Sequence, residues 1–403
     1  MQTSNQDSIS LDLIGISGSY QGGASIFART LLAEFIKDTK NKYCIILPEK
    51  EKENYVEFQL PETKNITIHY FKSRDNLLLR VLFRLATRVF KSHSLLARIQ
   101  RHRWKDPIEF IEKTSYSCLT LSTYINFPLN GVNHYCTLHD IQEKALPHFF
   151  SSKEKAIRNV QVLNTLSNVT GLQVSSKFVG DEIKKYYPKE SQIIDFRVIP
   201  EGFSSLEFDV VPPLKNARLG PVRIIFPANY WPHKDHQTFF KALSLIDREL
   251  KVEVFCTGST FQREKEISQL LAELKLDNVR FTGYLRRLEL MKLYQSSHIV
   301  ISCSMYESSS LPILEGAVLG CIPVASNIAP HREMAERFNI YLFEVGNISD
   351  LSRVLTEVII NFTNDKNFKI FDNSVLVRKL SWEALMPKYL EFLGMDLTLG
   401  NRQ

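Results

Sequence analysis

From Arg223 onward the chain alternates between two kinds of segment, and that alternation limits its fold more than any other feature. Nearly unbroken apolar runs of β type appear at "VRIIFPA", "VEVFCTG", "VRFTGY", "IVISCS", "IPVAS" and "IYLF". Between them lie stretches with helical spacing, among them "HQTFFKALSLI", "REKEISQLLAELKL" and "RLELMKLYQSS". Strands that are apolar on both faces need cover on both faces, so the pattern predicts a parallel sheet wrapped by helices, a Rossmann-like domain. The first half repeats it more loosely, with "LDLIGIS", "YCIILP", "ITIHYF", "SCLTLS", "HYCTLHD", "GLQVSS" and "FRVIPEG" as strands and "ASIFARTLLAEFIKD" as a helix. At 403 residues the chain is too long for one ordinary core. The expectation is an α/β chain of two such domains, 1–215 and 216–379, joined within 204–221, where Pro212, Pro213 and Gly220 interrupt regular structure.

Composition narrows the class. Apolar content of 44% and charge of 23% fit a globular protein. No stretch reaches the ~18 continuous apolar residues of a membrane span, and the first residues lack a basic region followed by an apolar one, so a cytoplasmic protein is expected. Cys44, Cys118, Cys136, Cys256, Cys303 and Cys321 sit singly inside apolar runs and read as reduced core residues. The net charge of +6 is concentrated: residues 72–105 carry ten Lys/Arg against Asp75, a local +9 that leaves −3 for the remainder. Within that stretch Arg80, Arg84, Arg88 and Lys91 make one stripe, with Leu78, Leu82, Leu85 and Val89 lying mainly elsewhere. Such a helix suits an anionic membrane surface, and an ordinary exposed helix explains it equally well. Aromatic side chains are not interleaved with a broad basic surface, so nucleic acid is not expected as a partner.

Ligands of open α/β sheets gather beyond the carboxyl ends of the strands, which makes the strand-end motifs the candidate site. "GISGSYQGGASIF" places Gly22 and Gly23 at a helix entrance, where the backbone can approach a phosphate; a plain tight turn is the competing explanation. "CTLHDIQEKALPHFF" sets His139 and Asp140 after a strand, as a hydrogen-bonding pair for a sugar hydroxyl or as a satisfied histidine with a helix-capping aspartate. "FPANYWPHKDHQTFFKAL" offers Asn229 and, just before a helix, Lys234, a cation for a diphosphate or a solvated loop lysine. "YESSSLPILEGAVLG" holds Glu307 in a loop and Glu315 about one turn into a short helix. First-turn carboxylates stabilise helices by ~0.3 to 1 kcal/mol, which accounts for Glu315 and leaves Glu307 and the serine run unexplained.

With these residues the chain resembles retaining glycosyltransferases of family 4, also called glycosyltransferase group 1. The likeness rests on "GGASIFARTLL", "LHDIQEKALPHFF", "VIPEG", "PANYWPHKDH" and the E-x7-E segment "ESSSLPILE", in the family's order along nearly the whole chain. It implies a GT-B fold, two Rossmann-like domains facing each other across a cleft, with a C-terminal helix in 380–403 packing back on the first domain. It also implies a nucleotide-sugar donor, a UDP- or GDP-sugar, bound mostly by the second domain and a glycan or lipid-linked glycan acceptor approached from the first. Carried over by position, Glu315 would bind the ribose and Glu307 would lie near the donor sugar. Lys234 and the amides around Ser309, Ser310 and Leu311 would hold the diphosphate. Gly23 would approach it from the other side, and His139 would bind the donor sugar. No D-x-D occurs, so neither metal nor cofactor is expected. Two positions depart from the family: Asn229 stands where an arginine is common, and E-S-S-S replaces E-G-F-G.

The resulting expectation is a cytoplasmic, peripheral hexosyltransferase of surface-glycan biosynthesis, metal-independent and retaining. A catalytically silent sugar-nucleotide-binding subunit, or another GT-B enzyme such as a sugar-nucleotide epimerase, stands as the alternative.

Overall fold

The computed structural model describes residues 7–16, 23–52, 63–203, 220–364, 376 and 379–395. It divides into two units, Met1–Gly202 with Trp382–Gln403, and Phe203–Ser381. Most of the join expected within 204–221 lies outside the described residues.

The first unit is built on a seven-stranded sheet in the order β3-β2-β1-β4-β5-β6-β7. Its strands are β1 (Ser8–Asp12), β2 (Tyr43–Pro48), β3 (Ile66–Phe71), β4 (Ser115–Thr120), β5 (Asn133–Thr137), β6 (Gly171–Val174) and β7 (Asp195–Val198), every pairing parallel. β1 and β2 are buried at every residue, as near-continuous apolar strands must be. β1 stops at Asp12 and does not run on through "LIGIS" as the apolar run suggested. The Asp12 carboxylate accepts the Ile14 N–H at 2.9 Å, a local turn that takes that amide away from the ladder. The helix Trp382–Phe392 packs into this unit, with Trp382, Leu385, Tyr389 and Phe392 buried beside Phe27, Phe35 and Tyr135.

The second unit carries a six-stranded sheet, β10-β9-β8-β11-β12-β13. The strands β8 (Val222–Pro227), β9 (Val252–Thr257), β10 (Val279–Gly283), β11 (Ile299–Ser302), β12 (Ile322–Ser326) and β13 (Tyr341–Phe343) coincide with the six apolar runs. All are parallel, and the order reverses between β8 and β11. Loops leaving two strands that flank such a switch diverge to opposite faces of the sheet and open a crevice between them. Gly316 lets the helix Leu311–Val318 lie directly on β11: a Cβ there would fall 2.5 Å from Val300 Cγ1.

Candidate functional site

In the second unit, the loop after β8 ends in a short 3-10 turn, Pro232–Lys234. Asp235 follows in the left-handed region (φ 50°, ψ 51°) and caps the helix His236–Leu243 by accepting the Thr238 N–H at 3.2 Å. That conformation is costly for a residue with a Cβ, and it sets Lys234 immediately ahead of the helix. The loop after β11 is tied to the same place, since the Met305 N–H donates to the His233 carbonyl at 2.7 Å. Lys234 Nζ then lies 2.6 Å from Glu307 Oε1, which also accepts from Ser304 Oγ at 2.6 Å. Ser326 Oγ, at the end of β12, donates to the Ser304 carbonyl at 2.6 Å and so anchors the loop from the third strand. Burial alone would raise the Glu307 carboxyl, but the Lys234 ammonium beside it, with the bonds from Lys234 and Ser304, holds it below the usual range. His331, fully buried nearby, is pushed down by burial and stays neutral.

Ser310 precedes the helix Leu311–Val318 and is fully buried; its Oγ has no hydrogen-bond partner among the described residues. Ser309 and Leu311 beside it are half-buried. Glu315 is buried in the next turn and makes an ion pair with Arg287 at 2.6 Å. Arg287 opens the helix Arg287–Gln295 and was not among the expected site residues. Asn229 is committed to a loop tie: its Oδ1 accepts the Ser259 N–H at 2.7 Å, while the Tyr230 N–H donates to the Ser259 carbonyl at 2.8 Å. The loop after β9 meets it in a close approach, for Gly258 (φ +98°) would place a Cβ 2.7 Å from Asn229 Oδ1.

The first unit presents a different set. His139 is buried two residues after β5, its ring edge-on to Phe27 with centroids 4.9 Å apart. Phe27 in turn rests against Trp382, 5.6 Å away. Glu201 Oε1 lies 3.6 Å from His139 Nδ1, and His139 Nε2 is buried with no hydrogen-bond partner among the described residues. Glu201 belongs to the "VIPEG" segment, which was visible as a motif without its partner being visible. Asp140 accepts from Arg158 and from the Gln142 N–H, and Arg158 Nε donates to Glu143 at 2.7 Å, so both acids are held by one guanidinium. Gly23 begins the helix Gly23–Lys37 with open space where a side chain would stand; Gly22 lies outside the described residues. Among the described residues no group of three or more His, Cys, Asp or Glu could hold a metal ion.

Two parallel-sheet Rossmann-like units, one with a cation, carboxylates and a helix entrance gathered at its switch point, define a chain of the GT-B type. Solved structures share this fold: the Anabaena HepE protein in complex with UDP and glucose (TM-score 0.67, 16% identical, 96% of this chain and 100% of that one). Others are sucrose-phosphate synthase from Thermosynechococcus elongatus (TM-score 0.68, 16% identical, covering 96% and 98%) and a glycosyltransferase from Rickettsia africae (TM-score 0.66, 17% identical, covering 99% and 100%). Residues 213–370 match the model of the family described as glycosyl transferases group 1. A curated relative, the Drosophila melanogaster tRNA-queuosine alpha-mannosyltransferase, is 29% identical over 180 residues, 41% of this chain and 45% of its own length. The match thus spans less than half of that relative.

Proposed function

We propose that the chain is a retaining hexosyltransferase of family 4, moving a hexose, mannose in the favoured reading, from a UDP- or GDP-sugar to a hydroxyl of a glycan or lipid-linked glycan. The observation that carries this is the convergence of Lys234, Glu307 and the entrance of the helix Leu311–Val318 at the carboxyl ends of β8 and β11. Lys234 and the amides of Ser309, Ser310 and Leu311 hold the diphosphate. Glu315, its carboxylate fixed by Arg287, binds the ribose hydroxyls. Glu307 sets the position of the Lys234 ammonium beside the donor sugar, and Asn229 shapes the loop by its tie to Ser259. His139 offers Nε2 to the sugar, and Asp140, steadied by Arg158, lies on the acceptor or sugar side. The bond from the anomeric carbon to the phosphate oxygen breaks and the acceptor oxygen bonds to that carbon on the same face. The acceptor proton passes to the departing diphosphate. Fixed amides and one ammonium meet the charge that develops there, so neither metal nor cofactor enters the scheme.

The family match over 213–370 supports sugar transfer, and the curated mannosyltransferase supports mannose. A role in surface-polysaccharide synthesis, in the cytoplasm at the inner face of an anionic membrane, is the pathway we favour. Because that relative is named for a tRNA nucleoside, tRNA belongs in the acceptor panel beside glycans. Thermal shifts with UDP-, GDP-, ADP- and dTDP-sugars provide the first test: one nucleotide should raise the melting temperature, with the increment lost in Glu315→Ala. No increment with any donor overturns the reading. Turnover that survives EDTA but falls at least ~10²-fold in His139→Ala, with donor binding kept, places His139 in the chemical step.

A further inference from the structure

The segment Leu77–Arg84 with the π turn Leu85–Val89 has one face in the first unit's interior and the other in solvent. Leu79 and Ala86 are buried against Leu96, Ile99 and Val160, with Leu82 and Phe83 packed beside them. The outer face should then be polar, as on any surface helix. Instead Leu77, Leu78, Val89 and Phe90 are exposed by 79%, 64%, 63% and 63%, and Val81 stands out with them. The basic stripe was expected to lie apart from the apolar positions; Leu78 and Val89 are in fact exposed together with it. For Val89 the reason is the π turn, in which the Phe90 N–H reaches the Leu85 carbonyl at 2.8 Å, five residues back. In an unbroken α-helix Phe90 would follow Phe83 and Ala86 at i+7 and i+4 and point inward. The extra residue in the turn rotates Val89 and Phe90 outward, beside Arg88 and Lys91. Arg84, Arg88 and Lys91 have no ion-pair partner among the described residues, and Arg80 pairs with Asp75 at 3.0 Å.

We propose that this face inserts into an anionic bilayer surface, with Leu77, Leu78, Val81, Val89 and Phe90 below the headgroups and Arg84, Arg88 and Lys91 at the phosphates. It deepens the membrane part of the proposed function and rests on that reading for its purpose, while the surface itself stands on its own geometry. Exposed aliphatic side chains among cations favour lipid over RNA, which takes stacking rings and a backbone-tracking groove. The full chain is sedimented with vesicles of phosphatidylcholine alone and with vesicles enriched in phosphatidylglycerol, beside Leu77→Ser/Leu78→Ser/Phe90→Ser and Arg84→Glu/Arg88→Glu/Lys91→Glu. The intact chain should bind only the anionic vesicles. Each variant should partition at least ~10-fold less, at an unchanged melting temperature, because the altered side chains are exposed. Undiminished binding by the serine variant overturns insertion. Failure of the intact chain to bind vesicles, together with tRNA binding lost in the charge variant, overturns the lipid partner in favour of RNA. Vesicle binding without any donor-induced thermal shift keeps this inference and removes the transferase reading; the reverse pattern does the opposite.

Discussion

The end of β1 in the first unit and the switch-point loops of the second unit both carry buried acids, and they manage those acids in opposite ways. In the second unit two acids of the site each have a cation against them, Glu307 with Lys234 and Glu315 with Arg287, both at 2.6 Å. In the first unit Asp12, fully buried at the end of β1, has only neutral donors: the Ile14 N–H at 2.9 Å, Asn126 Nδ2 at 3.0 Å and Thr120 Oγ1 at 3.1 Å. Thr120 is further joined to His134 Nε2 at 2.9 Å, and burial pushes that imidazole down to about 3. Burial likewise raises the Asp12 carboxyl, and the three donors offset only part of that. The second unit therefore keeps paired charges beside its strand ends. At the end of β1 the first unit instead surrounds its acid with neutral donors.

The largest effect should come from breaking a matched pair. Lys234→Met leaves the Glu307 carboxylate largely enclosed without its ammonium, and should cost about 2 to 4 kcal/mol in urea unfolding followed on the second unit's strands. Adding Glu307→Gln should restore at least half of it, since the stranded charge is then gone. A single Lys234→Met variant as stable as the parent would show that the pair contributes no more than a surface ion pair.

Acid should separate the units next. Glu307 is held below its ordinary range, so its contribution is complete above about pH 4.5 and is lost as pH falls through its folded value. Asp12 is raised, so its contribution is complete below about pH 3.8 and is lost as pH rises from there through its folded value. Relative to the parent, Glu307→Gln should therefore become the more stable chain on acidification. Asp12→Asn should gain relative to the parent as pH rises from 3.8. Unfolding free energies of the three proteins between pH 3 and 7 provide the check, and parallel curves would remove the contrast.

The strands were readable because each is a continuous apolar run, and strand ends could be read as site positions because parallel sheets put ligands there. Lys234 and Glu307 are brought together as that logic requires, although 73 residues separate them. Their direct pairing was not legible, nor was that of Glu315 with Arg287 or of His139 with Glu201. Each partner arrives on a segment that follows a different strand, and neither periodicity nor local propensity encodes which of those segments meet. The fate of Asn229 was hidden for the same reason: its bond partner Ser259 belongs to the next strand's loop. The early end of β1 was missed because Asp12 sits inside an apolar run and acts through a short-range turn, which hydrophobic patterning does not record.

The smallest effect, and the sharpest test of the second unit's design, concerns that asparagine. Asn229→Ala removes the bond to the Ser259 N–H from a loop that is exposed, so water replaces it and about 1 kcal/mol of stability should be lost. The consequence for donor binding separates two functions of the residue. If Asn229 only ties the loops, the donor-induced thermal shift should fall modestly, and Asn229→Asp, which keeps an acceptor for Ser259 at the cost of a negative charge beside the diphosphate, should weaken binding further while holding stability. If both variants bind donor equally, the charge at 229 lies out of reach of the diphosphate and Lys234 is the loop's contribution to that charge.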